Sequence, residues 1–388
     1  MAYDFSAADV RFLGSAAGRD ALAAIAGFDL APASWLADVS SARALFPGHA
    51  PALLETVVLR RKARVKLAGA DDWLLTDAAL QQATPTPVAL HRAQRLRGRD
   101  VHDVTCSVGA DLAVLSTVAR RCIGSDLDPI RLAMARHNCA VVGADPLLVR
   151  ADALRPVSSS AVVVADPARR DGTGRRAWRL GDLMPPLDEL VAAHPGRDLA
   201  VKCSPGMDFG AAGWADEVEL VSLDGRVREA CLWRGSLATS RRRATVLRSG
   251  LPSMTVTDAD PDDCPVSEVG AWIVDPDGAV VRAGLVRHYA ARHGLAQLDP
   301  HIAYLTGDTP PPGIRALRVV EHGRYGEKAL RAALRRHDVG ALEILVRGLD
   351  VDPDALRSRL KPAGSTAATV VLTRVGRTPT AVLCRASP

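Results

Sequence analysis

Between residues 103 and 111 the chain reads Asp-Val-Thr-Cys-Ser-Val-Gly-Ala-Asp: a strand that ends in small residues, one glycine, then a helix. Such a turn lets backbone N–H groups approach a ligand closely and aims the positive end of a helix at it. A pyrophosphate would call for G-x-G-x-x-G, but here Gly109 stands alone between Asp103 and Asp111. Carboxylates on both sides of the turn suit a positively charged ligand, with Ser107 and Gly109 offering the close backbone. A nicotinamide dinucleotide is therefore disfavoured.

Three further acidic positions follow in order. Gly124-Ser125-Asp126-Leu127-Asp128-Pro129 begins about 20 residues on, where a carboxylate at the end of a second strand accepts hydrogen bonds from ribose hydroxyls. Asp126 is the first choice and Asp128 the second. Arg150-Ala151-Asp152 follows a third strand, where a carboxylate can receive an adenine amino group. Asp166-Pro167-Ala168-Arg169 follows a fourth. Each aspartate taken singly also reads as a helix cap or turn residue. Four of them at strand ends in this order point to one site.

The elements that would position these residues alternate. Strands are expected at 101–105, 122–126, 147–149, 161–166 and 199–203, and helices at 110–120, 129–142 and 182–193. That alternation is the signature of βαβ units around a parallel sheet, with 218–223 and 229–234 available as last, antiparallel strands. Upstream, residues 1 to about 80 read as helical, with starts at Ser6, Ser34 and Pro51. Downstream, 271–274 and 279–283 flank Asp-Pro-Asp-Gly and read as a hairpin. A Pro-Pro-Pro-Gly loop at 310–313 marks a boundary. A strand at 342–346, a helix at 352–360 and a hairpin over 368–385 complete the chain.

From Thr84 to about residue 170 the sequence resembles class I S-adenosylmethionine (SAM)-dependent methyltransferases, in particular the RNA guanine-N2 (cap-type) branch. The likeness rests on Thr84-Pro85 before the first strand, then Asp103, Cys106 and Gly109, the D-x-D-P stretch at 126–129, and Ala135-Arg136-His137-Asn138. The resemblance implies a Rossmann-like α/β domain with a seven-stranded sheet, a helical N-terminal region and an α+β C-terminal domain. It implies SAM bound by Thr84, Pro85, Asp103, Ser107, Gly109, Asp111, Asp126, Asp128 and Asp152. Residues 318–388 resemble the THUMP-like domain attached to some bacterial methyltransferases. The expected organisation is a helical region over 1–97, a methyltransferase domain over 98–250, a connecting region over 251–317 and a basic THUMP-like domain over 318–388.

Amino-methyltransferases of this fold carry [D/N/S]-P-P-[Y/F/W] after the fourth strand, to hold the target NH2 and stack on its base. Here Asp166 and Pro167 are present, while Ala168 and Arg169 replace the second proline and the aromatic. Asp166, Pro167 and Arg169 are the expected catalytic set, with the Arg169 guanidinium plane as the stacking surface. Arg170, Arg175, Arg176 and Arg179 would grip phosphate beside it. A second chemistry is uracil-C5 methylation by Cys203 in Lys202-Cys203-Ser204-Pro205, with Lys202 lowering the thiol pKa; a small buried residue ending a strand is the plainer reading of Cys203.

Charge favours a polyanionic partner. Residues 318–388 hold 13 Arg and Lys against 7 Asp and Glu, a net +6, whereas the whole chain is only +5. An RNA substrate, tRNA or rRNA, is expected. The basic run Arg60-Arg61-Lys62-Ala63-Arg64-Val65-Lys66 is a second candidate contact, with a solvated helix face as its plainer explanation. Seven scattered cysteines without a C-x-x-C pair argue for reduced thiols, and the histidines show no metal-ligand spacing. No metal is expected. Neither a signal peptide nor an apolar run of membrane-spanning length is evident, which together with reduced thiols points to the cytoplasm.

Overall fold

The computed structural model describes residues 3–159, 161–168, 180–312 and 314–386. These form two compact units: 1–223 with 228–239, and 224–227 with 240–388.

The first unit begins with helices α1 (Ala7–Gly14), α2 (Ala16–Ile25), α3 (Trp35–Leu45), α4 (Ala50–Ala63), α5 (Asp77–Gln82) and α6 (Thr86–Gln94). Ser6 caps α1 through a reciprocal box with Asp9, so the first helix starts where its sequence signal lies. Two cations of the basic run at 60–66 close helix ends, while Lys62 and Arg64 stay exposed. Arg61 donates to Asp29 O and Ala26 O beyond the end of α2, both at 2.8 Å. Lys66 Nζ donates to Leu80 O and Gln81 O in the last turn of α5, at 2.8 and 2.9 Å. Positive charge is favourable at these carbonyl ends. The run therefore ties helices together within the first unit.

The sheet strands follow: β1 (Asp100–Asp103), β2 (Arg121–Asp126), β3 (Leu147–Arg150), β4 (Val162–Ala165), β5 (Leu199–Cys203), β6 (Glu217–Leu223) and β7 (Arg226–Arg234), with α7 (Ala110–Ser116), α8 (Pro129–Val141) and α9 (Leu187–Ala193) between them. Strands β3, β2, β1, β4 and β5 are mutually parallel, and β7 joins β5 antiparallel. Within the first unit the strands lie in the order β3-β2-β1-β4-β5-β7-β6; β8 (Arg242–Arg248) and β9 (Leu251–Thr257) belong to the second unit. Those two run as an antiparallel pair whose alternation the sequence reading passed over. The N-terminal helices share one core with the sheet domain. Leu13, Leu53, Leu59 and Leu74 pack in the same buried cluster as Val108, Leu112 and Met134, so burial of their apolar faces depends on α7 and α8.

The second unit continues with β10 (Trp272–Val274), α10 (Gly278–Arg282), α11 (Val286–His293), β11 (Ala296–Asp299), β12 (Ile302–Gly307), β13 (Ala316–Arg324), α12 (Glu327–Arg336), β14 (Val339–Val346), α13 (Pro353–Leu360), β15 (Thr366–Val375) and β16 (Thr378–Ala386). Its sheet order is β11-β12-β10-β13-β16-β15-β14. The hairpin expected at 271–283 is a strand followed by a helix. The Asp277 carboxylate accepts from Ala279 N–H at 2.8 Å, converting the turn signal into a helix cap. The C-terminal hairpin forms as β15 and β16.

Candidate functional site

The strand ends of the first unit open onto a cavity of about 510 Å³ lined by Asp103, Ser107, Asp111, Asp126, Asp152, Asp166 and Lys202, among others. Asp103 and Asp126 are the last residues of β1 and β2. Asp166 follows β4 directly, and Asp152 lies two residues beyond β3. Parallel strands ending on one side bring together aspartates spread over more than 60 residues.

The glycine turn between β1 and α7 is tightly determined. Gly109 has φ of 82°, and a Cβ there would lie 3.1 Å from Ala135 on α8. Only glycine meets both demands without strain. Ser107 also sits at positive φ, 50°, and its N–H donates to Asp126 Oδ2 at 3.0 Å. Asn138, fully buried, donates to Val108 O and to Leu74 O, both at 2.8 Å, and accepts from Leu74 N–H at 2.7 Å. This explains the Ala135-x-x-Asn138 spacing: one residue leaves room for the turn and the other bolts it down.

Asp126 accepts from two backbone N–H groups, Ser107 and Asp128, the latter at 2.9 Å. Its carboxylate is thereby held in one orientation with lone pairs remaining. Asp128 caps α8 through Ile130 and Arg131 N–H and is absent from the cavity wall. Asp152 accepts from Leu154 N–H at 3.0 Å and lines the cavity. Gly109, Thr84, Pro85 and Pro167 do not line it. Pro85 is the cap position of α6, and Pro167 is buried. Arg169 and the arginines expected to follow it lie outside the described residues.

Beneath the cavity runs a charged network that spacing does not reveal. Arg92 on α6 is 2% exposed and pairs with Asp111 at 2.8 Å and with Glu229 on β7 at 2.5 Å. Thr84 Oγ1 donates to Glu229 Oε2 at 3.2 Å. Burial works against the Arg92 charge, but Asp111 and Glu229 outweigh it and hold the guanidinium well above its ordinary value. Lys202 Nζ contacts Asp166 Oδ2 at 2.5 Å and donates to Gln82 O at 3.1 Å. Burial again opposes its charge, and Asp166, then Asp111 and Glu229, more than compensate and raise its pKa. Asp103 accepts from Thr105 N–H at 3.2 Å, and the Arg92 charge opposes its shift only weakly. Burial first, then Asp111, pushes its carboxyl up to about 8. Lys202 faces the cavity while Cys203, next along the strand, is buried away from it, as strand alternation requires. Among the described residues no group of three His, Cys, Asp or Glu is placed to hold a metal ion, and no helix is long and apolar enough to cross a membrane.

A parallel sheet flanked by helices, a single-glycine turn and a cavity walled by carboxylates define a methyltransferase of the Rossmann-like α/β class. The comparisons agree. An uncharacterized SAM-dependent methyltransferase of Mycobacterium tuberculosis is 54% identical over 360 residues, covering 89% of this chain and 99% of that protein. The crystal structure of a methyltransferase from Porphyromonas gingivalis shares the fold at a TM-score of 0.74 and 19% identity, over 100% of both chains. The THUMP domain-like family matches residues 314–386, and a domain of unknown function, DUF8688, matches residues 6–63.

The chain belongs to the SAM-dependent methyltransferases, and SAM is its cofactor. The donor set fits that molecule: the cavity wall carries carboxylates that suit a sulfonium and an ammonium, and Asp126 and Asp152 on it are held by backbone N–H groups. The guanine-N2 branch suggested by the motifs is not among these findings. Sequence reasoning missed Arg92 and Glu229, and it gave Lys202 to Cys203 rather than to Asp166. A buried-strand lysine beside Cys203 was a usable signal, because lysine is almost never buried without a partner.

Proposed function

We propose that this enzyme methylates a ring or exocyclic nitrogen on a base of tRNA or rRNA by direct displacement, with Asp166 holding the acceptor. Bound SAM supplies an activated methyl group. Asp103 and Asp111 balance the cofactor's positive charge, Asp126 accepts from its ribose hydroxyls and Asp152 from its adenine amine. Asp166 lies partly exposed on the cavity wall, oriented by its own N–H donating to Thr105 Oγ1 at 2.7 Å. The observation that carries the reading is its pairing with buried Lys202. The ammonium fixes the Asp166 carboxylate in place, so it can accept an N–H from the acceptor and leave the nitrogen lone pair aimed at the methyl group. Alignment of this kind supplies much of the acceleration. The THUMP-like match and the basic surplus of the same region support RNA as the substrate.

Mass spectrometry of nucleosides tests this. Cells lacking the gene should lose one methylated nucleoside from tRNA or rRNA, restored by the wild-type gene but not by Asp166→Ala. Purified Asp166→Ala should lose at least about 100-fold in turnover and bind SAM within a few-fold of wild type. Restoration by Asp166→Ala would remove Asp166 from the chemistry.

A further inference from the structure

A flat acceptor needs a face to lie on, and the expected stacking residue Arg169 lies outside the described residues. Asp166 meets an edge. A ring held only by its edge swings out of line, and transfer needs the accepting atom aligned with the leaving bond. Among the described residues, those that line the cavity beside Asp166 include no aromatic.

They do include Met184, Pro185 and Pro186. Two hydrogen bonds bring this segment alongside the β4 strand end. Ala168 N–H donates to Met184 O at 2.7 Å, and Met184 N–H donates to Ala168 O at 3.1 Å. Its flanks are anchored, since Leu183 and Leu187 are each only 1% exposed. Between these anchors Met184 is 54% exposed, although it is a large apolar residue on a cavity wall. The two prolines carry no N–H, so the segment presents apolar surface without backbone donors to satisfy. Proline also restricts the chain, which lowers the entropy cost of keeping that surface in place. Thioether sulfur makes favourable contacts with aromatic rings.

We propose that Met184, with Pro185 and Pro186, forms the shelf on which the acceptor ring rests, and that Met184 is a specificity-determining residue. The shelf selects a planar heteroaromatic ring with an N–H at one edge. The ring face lies on the thioether and proline carbons, and the edge meets Asp166 one residue pair away. A flexible aliphatic amine has the N–H but no face, and gains nothing from the shelf. This inference rests on the RNA-base reading above.

Full-length wild type, Met184→Ala and Met184→Phe are compared for methyl incorporation from tritium-labelled SAM into total RNA of cells lacking the gene, with SAM affinity measured by calorimetry. Met184→Ala is expected to lower kcat/KM for RNA about tenfold, the upper range of sulfur–aromatic contact, with SAM Kd within twofold. Met184→Phe, which keeps a face for stacking, should stay within threefold of wild type. Unchanged kcat/KM in Met184→Ala overturns the shelf alone. Equal losses in both variants, or lost SAM affinity, assign Met184 to the structure of the segment and also overturn it. A wild type that methylates no RNA sinks the base reading, and the shelf with it.

Discussion

The two units dispose of charge in opposite ways. At the cavity of the first, Arg92, Lys202 and Glu229 are buried and bound to one another or to Asp111 and Asp166, and Asp103 is buried beside them. On the second, Arg318, Arg324, Lys328, Arg335 and Arg385 are exposed. A charge count sees only the second arrangement, as the net +6 after residue 317. The near-neutral remainder conceals the first, because buried charges must cancel locally to be tolerated. Even exposed-looking basic runs divide this way: Arg61 and Lys66 close helix ends, which leaves the C-terminal surplus as the better candidate for a polyanion.

The comparison breaks most visibly at Arg92. If the buried network is as interdependent as its contacts indicate, Arg92→Met strands Asp111 and Glu229 without their cation. Loss of one partner from a buried pair costs about 3–5 kcal/mol, to be read from urea unfolding of the full chain. Glu229→Gln added to Arg92→Met should recover part of that loss. A cost below about 1 kcal/mol for Arg92→Met would mean the network is solvated, like the surface of the second unit.

What was legible in the sequence and what was not divides along the same line. Strand β5 occupies its expected residues, 199–203, and the aspartates of β1, β2 and β4 stand at strand ends because apolar β-branched runs and small-residue turns are local signals. Thr84 stood out in the sequence, yet its partner Glu229 is 145 residues away. Arg92 and Glu229 are 137 apart, and no periodicity connects them. The 275–278 turn misled because Asp and Gly serve hairpins and helix caps alike, and only the Asp277 to Ala279 hydrogen bond distinguishes the two. The shelf at Met184 was invisible because Ala168 meets it through backbone atoms, which leave no mark on residue type.

A smaller effect, in pH, separates Asp103 from the carboxylates paired with cations. Its folded pKa is raised to about 8, chiefly by burial, against an unfolded value of about 3.9. The protonated carboxyl therefore favours folding fully below pH 4, and that contribution is lost as pH rises toward 8. A cationic cofactor requires the ionised form, so SAM binding runs the other way. It should tighten by up to about tenfold per pH unit toward pH 8 and then level off. Calorimetry across pH 6 to 9 in buffers of different ionisation enthalpy should show proton release on binding. Asp103→Asn should flatten the profile. An unchanged slope in that variant would transfer the proton to another group.

The smallest expected effect tests the exposed side of the comparison. Arg318 on β13 lies directly opposite Arg385 on β16, and both side chains are exposed. Like charges facing across an antiparallel pair repel, so the protein alone is slightly penalised for keeping them there. A phosphate backbone lying over the pair would relieve that repulsion and release counterions. Deleting the region from 318 onward is a poor test, because β13 pairs with both β10 and β16 and its loss would dismantle the sheet. Replacing both arginines with serine keeps the strands. Arg318→Ser with Arg385→Ser should leave stability unchanged or raise it by about 0.2–1 kcal/mol. It should weaken binding to total tRNA by several-fold at low salt and reduce the log–log salt slope by about two. SAM affinity should not move. Filter binding over a salt series reads the slope, and thermal unfolding reads the relief of repulsion. Equal slopes for the two proteins would show that this arginine pair is solvated surface, and the polyanion contact would then have to be sought on another face of the second unit.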